Sequence, residues 1–330
     1  MRTTKLTAPL AALALAAVFG LSILAGNAYA AYPDKPVRVI VPFAPGGSTD
    51  IVARIVTQRM GDELGQTFIV ENKGGAGGAI GAQQAAKAEP DGYTLSIATV
   101  STLAVIPACR PEGAGYDPLN DFLPVTNFAN VPNVVEVNPK FPAQSFKEFV
   151  QVLKDNPDKY SHGSSGQCSV LHLFGEAFKL ATGTKAVHVP YKGSGPAVSD
   201  AVGGQIEILF DNLPSSMGQI EAGRLRPMAI AWPQRLEALK DVPTLAEEGY
   251  PQLNRSAWYG LLAPKGTPPE IIATLRDAAV AALKDPQVIA ALEKQGAAPS
   301  GNTPEEFARE IKAEYDWAQG VVAKGNIKLE

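Results

Sequence analysis

Short runs of β-branched and apolar residues alternate along the chain with longer segments whose apolar residues recur at helical spacing. Residues 37–43 predict a strand, and the small residues of 44–49 separate it from a helix predicted over 50–63. The unit recurs, with further strands predicted at 67–70, 93–98, 187–192 and 206–210 and further helices at 79–87, 145–156 and 170–180. Strands that alternate with helices indicate an α/β fold whose mainly parallel sheets are covered on both faces.

The last part of the chain is richer in helix. Strands are predicted at 225–231 and 256–263, and helices at 268–283, 286–295 and 304–323. Thr303 and Glu306 have the spacing of a capping box, which predicts a helix start between them. Pro196 and Pro214 suit the first positions of two earlier helices. An apolar stripe on helix 268–283 predicts that this tail packs over another domain, through Leu275, Ala278, Ala279 and Ala282.

The first 30 residues have the three parts of a secretory signal peptide. Arg2 and Lys5 give a basic start, an apolar run follows over 10–24, and small residues flank Tyr29 before the predicted cut after Ala30. The apolar run is shorter than the roughly 20 residues that a membrane-spanning helix needs. We therefore expect residues 1–30 to be removed and the mature protein to be exported to the periplasm without a membrane anchor.

The charge and length of the mature chain narrow the class of partner. Without Arg2 and Lys5, 27 basic and 33 acidic side chains remain, a net charge of −6. Nucleic acids and anionic membranes attract basic patches, so neither is expected as a partner. An acidic protein that binds an anion must do so through local dipoles or a local cation. Three hundred residues exceed what one hydrophobic core usually organises, so two domains are expected.

The two cysteines, Cys109 and Cys168, leave two readings open. In an exported protein they can form one disulfide, and they can equally stay as two thiols. Together with three scattered histidines they lack the spacing of a zinc site, so no metal is expected. The glycine pattern of nucleotide-binding loops also fails, because Ile80 stands at the position of its last glycine, so no cofactor is expected.

Several strand-to-helix loops are rich in small residues. In parallel α/β sheets ligands bind beyond the carboxyl ends of the strands, where helix N-termini favour carboxylate or phosphate. Such loops occur at 46–48, 75–77 and 163–166, and Ser48, Ser101 and Ser164 add hydroxyl groups near them. Each loop alone is equally well an ordinary turn or helix cap. Their recurrence in both halves of the chain favours an anion site.

Two other function classes compete with a binding protein. A serine hydrolase would use Ser164 or Ser165, His172 or His188, and Asp211, but the G-x-S-x-G elbow is one residue short at 163–166. His172 falls near the middle of a predicted helix and His188 inside a predicted strand, where a structural role is the simpler reading. A scaffold without any small-molecule site is the third class. We expect no enzymatic activity.

The same loops carry motifs that occur in one order along nearly all of the mature chain. They include IVPFAPGGSTD at 40–50, VENKGGAGG at 70–78, PDGYTL at 90–95, VPYKG at 189–193 and WYG at 258–260. These motifs resemble those of the Bug receptors of the TctC family, the extracytoplasmic solute-binding proteins of tripartite tricarboxylate transporters. The resemblance implies a type II periplasmic-binding-protein (Venus-flytrap) fold, in which two α/β domains are joined by two crossovers.

The resemblance also implies domain limits and ligand contacts. Domain 1 would comprise residues 31–128 and 228–330 and domain 2 residues 129–227, with crossovers near 127–130 and 226–229. The ligand carboxylate would be held by backbone N–H groups, hydroxyls and waters rather than by a salt bridge. Asp50 belongs to this pattern, although we interpret it first as a helix cap, and the role of Lys192 is open. The implied contacts are Phe43, Ala44, Gly46, Gly47, Ser48, Asp50, Gly75 and Ser101 in domain 1 and Ser164, Gly166, Gly193 and Asp211 in domain 2.

The function that the resemblance implies is capture of a small carboxylate by closure of the domains. Acidic amino acids such as glutamate or aspartate are expected ligands, and citrate-like and aromatic carboxylates stay open. The receptor, expected to be a monomer, would deliver its solute to an integral membrane permease or inform a sensor protein. Gln167 and Cys168 stand where the family usually has smaller residues, which changes the cleft there. If Cys109 and Cys168 approach each other, a disulfide would restrict opening.

Overall fold

The structure is a computed structural model in which residues 32–110 and 113–325 are described, with side chains up to residue 323. The predicted signal peptide, residues 1–30, lies outside this described part. Residues Lys35–Glu330 form one compact unit. None of the described helices is both long and apolar enough to cross a bilayer.

A six-stranded mixed sheet organises the first part of the chain together with its last part. The strand order is β11-β4-β10-β3-β1-β2. β1 pairs in parallel with β2 and β3, whereas β10 runs antiparallel to β3 and β4, and β11 antiparallel to β4. The strands are β1 Val37–Val41, β2 Phe68–Asn72, β3 Thr94–Thr99, β4 Phe122–Val131, β10 Ala257–Pro264 and β11 Ala298–Pro299.

A five-stranded mixed sheet organises the middle of the chain. The strand order is β7-β6-β8-β5-β9. β6 pairs in parallel with β7 and β8, and β5 runs antiparallel to β8 and β9. The strands are β5 Asn133–Val137, β6 Ser161–Ser164, β7 Val187–Pro190, β8 Ile208–Asn212 and β9 Arg226–Ala231.

Ten α-helices belong to the described part of the chain. They are α1 Ser48–Leu64, α2 Ala79–Ala86, α3 Ile106–Cys109, α4 Phe146–Asp155, α5 Val170–Thr182, α6 Ser194–Gly203, α7 Leu213–Glu221, α8 Pro269–Lys284, α9 Pro286–Lys294 and α10 Pro304–Gly325. The predicted capping box is confirmed, because Thr303 N–H donates to Glu306 Oε2 and Glu306 N–H to Thr303 Oγ1, over 2.8 and 3.2 Å. The tail helices α8 and α10 pack against β4, and α8 also packs against α1.

The sequence pattern missed four strands, β4, β5, β6 and the two-residue β11, and for the first three the reason is composition. β4 and β5 were not predicted because Pro124, Asn127, Asn130 and Pro132 interrupt their apolar pattern, and Pro and Asn are poor strand formers. β6, with the sequence SHGS, was read as a loop. The parallel pairs come from the strand–helix–strand units that the pattern predicts. Apart from the pair of β11 with β4, the antiparallel pairs involve β5 or β10, the strands next to the places where the chain leaves one sheet and enters the other.

Two helix starts differ from the prediction. α1 begins at Ser48 with Gly47 as its N-cap, so Asp50 lies inside the first turn and is not the cap residue. α6 begins at Ser194 rather than at Pro196, and its N-cap Gly193 adopts a φ of 152°. Both shifts move a serine to a helix N-terminus, and both serines face the candidate site described below.

We call the six-stranded sheet with its helices the first lobe (residues 35–131 and 257–325) and the five-stranded sheet with its helices the second lobe (residues 133–256). The chain passes from the first lobe to the second at Pro132 and returns after the segment 232–256, whose Leu245 and Leu253 pack in the second-lobe core. Val131 pairs with Ala257, so the two passages are neighbours. The chain thus crosses from the first sheet to the second a few residues after the predicted crossover at 127–130. It returns to the first sheet well after the predicted crossover at 226–229.

Candidate functional site

Four helix N-termini, one from the first lobe and three from the second, meet at one cavity between the lobes. Ser48 is the first residue of α1 in the first lobe. From the second lobe come Val170 at the start of α5, Ser194 at the start of α6 and Asn212, the N-cap of α7. Each N-terminus carries N–H groups without partners in its own helix and roughly half a positive charge. Their convergence makes the cavity attractive to an anion.

None of the described residues that line the cavity carries a charged side chain. Its free volume is about 10 Å³, roughly the room for one water molecule. Hydroxyl and amide groups supply the polar part, and aromatic and apolar groups supply the rest. The lining residues are Phe43, Gly47, Ser48, Thr49, Thr99, Val100, Ser101, Ser165, Val170, Ser194, Asn212, Ala257 and Tyr259.

The two lobes bind each other directly across this cavity. Ser48 Oγ donates to the carbonyl oxygen of Asn212 over 2.7 Å and accepts from the N–H of Ser215 over 2.9 Å. Ala44 N–H donates to Lys192 O over 3.0 Å. Val170 N–H donates to Ser101 Oγ over 2.9 Å. The lobes are therefore closed on each other, and a solute larger than water must replace these bonds.

The first-lobe loop between β1 and α1 is braced by an ionised carboxylate. Asp50 accepts hydrogen bonds from Gly46 N–H, Arg54 Nε and Asn72 Nδ2 at 2.9–3.0 Å. Asn72 Nδ2 also donates to Phe43 O over 3.0 Å, which ties the start of the loop to the same side chain. Burial alone would raise the pKa of Asp50, but the hydrogen bonds from Arg54, Gly46 and Asn72 hold that pKa below 3.8. Asp50 fixes the loop and does not line the cavity.

The second-lobe loop after β6 is braced by stacked imidazoles. The three histidine rings stack, with centroids 3.7 Å apart for His172 and His188 and 5.0 Å apart for His188 and His162. His188 Nε2 lies 2.7 Å from Ser164 Oγ, and His172 Nδ1 accepts from Cys168 N–H over 3.2 Å. Burial, and then the nearby His172, lower the pKa of His188 to about 3. Burial also lowers the pKa of His162 well below 6.5.

Two buried carboxyl groups lie below the second-lobe helix N-termini. Glu136 on β5 and Asp211 on β8 are both fully buried, and Val134, two residues before Glu136, pairs with Asp211. Asp211 Oδ2 accepts from Ser215 Oγ, which also contacts Ser48 Oγ. Burial raises the pKa of Asp211 to about 6, and burial and the Asp211 charge raise that of Glu136 well above 4.5. Burial therefore disfavours the charged form of both carboxyl groups.

The predicted site residues fall into three groups. Phe43, Gly47, Ser48 and Ser101 line the cavity. Others lie against the opposite lobe. Ala44 donates its N–H to Lys192 O, and a Cβ on Gly193 would lie 2.7 Å from Ala44 N. A Cβ on Gly166 would lie 3.3 Å from Gly77 N, and one on Gly46 would lie 4.0 Å from Gly195 Cα. A third group lies behind the cavity wall: Asp50 and Ser164 brace loops, Asp211 belongs to the buried pair, and a Cβ on Gly75 would meet the Ile80 side chain.

Several cavity residues were missed by the sequence analysis, and most of them adjoin a predicted residue or a quoted motif. Thr49 and Ser165 follow predicted residues, Ser194 follows Gly193, and Asn212 follows Asp211. Tyr259 lies inside the WYG motif, and its hydroxyl donates to Asn212 Oδ1 over 2.7 Å. The one-residue offsets arise because helices α1, α6 and α7 begin beside the predicted glycine or aspartate. Of the other missed residues, Val100 adjoins Ser101 and Ala257 adjoins the WYG motif, whereas Thr99 and Val170 adjoin neither a predicted contact residue nor a quoted motif.

A disulfide joins the two lobes. Cys109, the last residue of α3 in the first lobe, is bonded to Cys168 in the loop between β6 and α5 of the second lobe, with the Cα atoms 6.0 Å apart. The question that the sequence left open is thus decided in favour of the disulfide. Within the described residues no group of three or more His, Cys, Asp or Glu side chains could hold a metal ion.

Two α/β lobes closed over a cavity of helix N-termini define the class of Venus-flytrap periplasmic binding proteins. The chain matches the tripartite tricarboxylate transporter family receptor, TctC, over residues 52–327. It is 38% identical over 299 residues to Protein BugT of Bordetella pertussis (strain Tohama I). The aligned region covers 91% of this chain and 92% of BugT. The chain belongs to the TctC receptor family.

Solved structures agree in fold. One, described as a periplasmic transporter, is 74% identical with a TM-score of 0.90 and covers 91% of this chain and 100% of its own. A protein of R. palustris solved with adipate is 35% identical, with a TM-score of 0.86, covering 90% and 99% of the two chains. MatC from Rhodopseudomonas palustris with bound malate is 33% identical, with a TM-score of 0.84, covering 88% and 100%.

Proposed function

We propose that this receptor captures a small dicarboxylate or an acidic amino acid, such as glutamate or aspartate, in the cavity between its lobes. The observation that carries the proposal is the meeting of four helix N-termini at a cavity whose described lining residues carry no charged side chain. Such a site binds a carboxylate through N–H and hydroxyl donors. Adipate and malate in the two R. palustris relatives are dicarboxylates, which supports this ligand class.

The mechanism is closure of two domains around the solute. We propose that the lobes act as these domains, with domain 1 containing both ends of the chain as the sequence analysis expects. The solute stabilises the closed state because only there does it touch donors from both domains. Ser48 from the first lobe and Ser194 from the second are the cavity hydroxyls at helix starts. In the absence of solute they bind protein groups instead, and solute replaces those bonds.

The proposal also covers the localisation of the protein, its oligomeric state and its partners. The predicted signal peptide directs the chain to the periplasm, where the mature protein works as a monomer. The closed receptor delivers its solute to the integral membrane permease subunits of a tripartite tricarboxylate transporter, or informs a sensor protein. It performs no chemical turnover.

The test is calorimetric titration of the mature protein after unfolding and refolding to remove bound solute. Glutamate, aspartate, succinate, malate, adipate and citrate are compared with their amides. One carboxylate is expected to bind, and its amide is not, because the helix N-termini favour the negative charge. Ser194→Ala should weaken that binding by about tenfold to a hundredfold, the worth of one hydrogen bond to a charged group.

A matched control lies on the same helix. Ser199 is an exposed serine of α6 whose hydroxyl binds the carbonyl of Gly195, so Ser199→Ala should leave the affinity unchanged. Absence of binding by every carboxylate, in protein shown to have refolded, would contradict the proposal. Equal loss in the Ser194 and Ser199 variants would place the carboxylate elsewhere.

One observation favours the alternative hypothesis of a serine hydrolase: Ser164 Oγ lies 2.7 Å from His188 Nε2. Three others favour the binding protein. Ser164 is fully buried and does not line the cavity. His188 is stacked between two other imidazoles, and Asp211 accepts its hydrogen bond from Ser215. An activated ester assay on wild type and Ser164→Ala separates the two readings, since a binding protein gives no Ser164-dependent turnover.

A further inference from the structure

The disulfide is a third covalent link between lobes that the peptide chain already joins twice. The two peptide links are side by side: Val131 pairs with Ala257, and Asn133 Nδ2 donates to the carbonyl of Arg255 over 2.7 Å. The third link, Cys109–Cys168, belongs to neither passage, because it joins α3 to the loop before α5. The lobes are therefore joined covalently at two separate places, the pair of adjacent peptide links and the disulfide.

A disulfide limits separation tightly. Its Cα atoms lie between about 4.4 and 6.8 Å apart in any unstrained geometry. At 6.0 Å, Cys109 and Cys168 can move apart by only about 1 Å before the bond is strained. Rotation of one rigid lobe against the other separates every pair of facing residues that lies off the rotation axis. An axis through the peptide links alone would therefore pull the two cysteines apart, unless it also passed through the disulfide.

We propose that Cys109–Cys168 confines the opening of this receptor to rotation about the line that joins the peptide links to the disulfide. With the bond intact the lobes swing about this line, and the contacts beside the disulfide stay closed. With the bond reduced, opening about other axes becomes available and the open state gains conformational freedom. The disulfide thus acts as a tether that favours the closed state and sets the side from which solute enters. This inference goes beyond solute capture and is independent of which solute binds.

Neighbouring contacts show which groups the tether controls. Val170, two residues after Cys168, donates its N–H to Ser101 of the first lobe. A Cβ on Gly77 of the first lobe would lie 2.3 Å from the carbonyl oxygen of Gln167, next to Cys168. These contacts lie within a few residues of the tether. The bonds of Ala44 to Lys192 and of Ser215 to Ser48 involve other loops of the cleft.

Hydrogen exchange at single amides tests the tether without any ligand. The reporters are the amides of Val170, Ala44 and Ser215, each bonded across the cleft. The control amides are Lys73, bonded to Val41 inside the first lobe, and Asn138, bonded to Glu207 inside the second. The mature protein is compared before and after reduction by a dithiol. In that reaction two thiolates of the reagent displace the cysteine sulfurs in turn, the reagent becomes a disulfide, and Cys109 and Cys168 become thiols.

We expect reduction to accelerate exchange of all three reporters by roughly tenfold or more, Val170 the most, and to leave the two control amides unchanged. The double variant Cys109→Ser, Cys168→Ser should show the fast reporter rates without reductant and no response to it, which controls for effects of the reagent.

Three outcomes would overturn the proposal. Unchanged reporters would mean that the disulfide does not restrain opening. Acceleration confined to Val170 would mean local fraying of the start of α5. Equal acceleration of reporters and controls would mean that the bond acts only on global stability. Because no solute takes part, each of these results leaves the proposed ligand class untouched.

Discussion

The two lobes present similar helix N-termini to one cavity, but they handle charge in opposite ways. In the first lobe the loop is held by Asp50, an ionised carboxylate paired with Arg54. In the second lobe burial shifts the pKa of the buried titratable groups toward their neutral forms: it lowers the pKa values of His162 and His188 and raises those of Glu136 and Asp211. The site thus receives donors from both sides and a fixed charge from neither.

The difference shows how an acidic protein can bind an anion. An uncompensated carboxylate near the cavity would repel a carboxylate solute. The first lobe balances the charge of Asp50 with a neighbouring cation and hydrogen bonds, whereas in the second lobe burial disfavours the charged forms of the buried acids and imidazoles. A consequence is that the two clusters should respond to pH differently: the Asp50 cluster should weaken only as pH falls below 3.8, whereas Glu136 and His188 of the second lobe should respond at higher pH. Four substitutions test this contrast, taken from the largest expected effect to the smallest.

Asp50→Ala removes the acceptor for three donors of the first-lobe loop. We expect a loss of about 2–4 kcal/mol in the free energy of unfolding at pH 7, because the Gly46 and Asn72 donors lose a charged partner. The pKa of Asp50 is lowered in the fold, so this stabilisation is present above pH 3.8 and shrinks as pH falls through the folded value. Urea unfolding measures it. Asp62→Ala, an exposed change on the same helix, should have no measurable effect.

Glu136→Gln replaces a buried acid of the second lobe with a neutral group. Because the pKa of Glu136 is raised in the fold, wild type should lose stability as pH rises above 4.5. The variant should be more stable than wild type by about 1–3 kcal/mol at pH 8 and equal to it near pH 4. Urea unfolding across this range is the measurement, with exposed Glu221→Gln as control. Parallel pH profiles of wild type and variant would break the contrast between the lobes.

His188→Gln keeps a partner for Ser164 and removes a titrating ring. The pKa of His188 is about 3 in the fold, so its contribution to stability is present above pH 6.5 and is lost as pH falls toward 3. Between pH 7 and pH 5 the wild type should lose about 1 kcal/mol more than the variant, with allowance for the partial exposure of the ring. Exposed Lys185→Gln, just before β7, should follow the wild-type profile.

Arg59→Ala tests the exposed charges of the first lobe. Arg59 bridges Glu63 on its own helix and Asp285 at the start of α9, the latter over 2.8 Å. Exposed ion pairs contribute little in water, so we expect no measurable change of the thermal midpoint. A clear drop would show that the first lobe depends on surface charge as well as on the buried Asp50 cluster.

The sequence by itself determined the α/β class, the family and most helix bounds to within two residues. α1, α4, α8 and α9 follow from apolar periodicity, and Thr303 with Glu306 marks the start of α10, because these signals are local along the chain. Four of the predicted contact residues line the cavity, and others lie one residue from it. The quoted motifs lie in the strand-to-helix loops, so recognising the motifs in the sequence also located the loops that form the site.

Only the tertiary structure decided which residues meet. β6 is a central strand of small polar residues, and its place depends on the neighbours β7 and β8 rather than on its own propensity. The stack of His162, His172 and His188 joins two strands and a helix, and the bond between Cys109 and Cys168 joins positions 59 residues apart. Neither contact leaves a periodic signal in the sequence, because each depends on how separate elements pack. The charge states of the second lobe depend on burial, which is likewise a property of the packed fold.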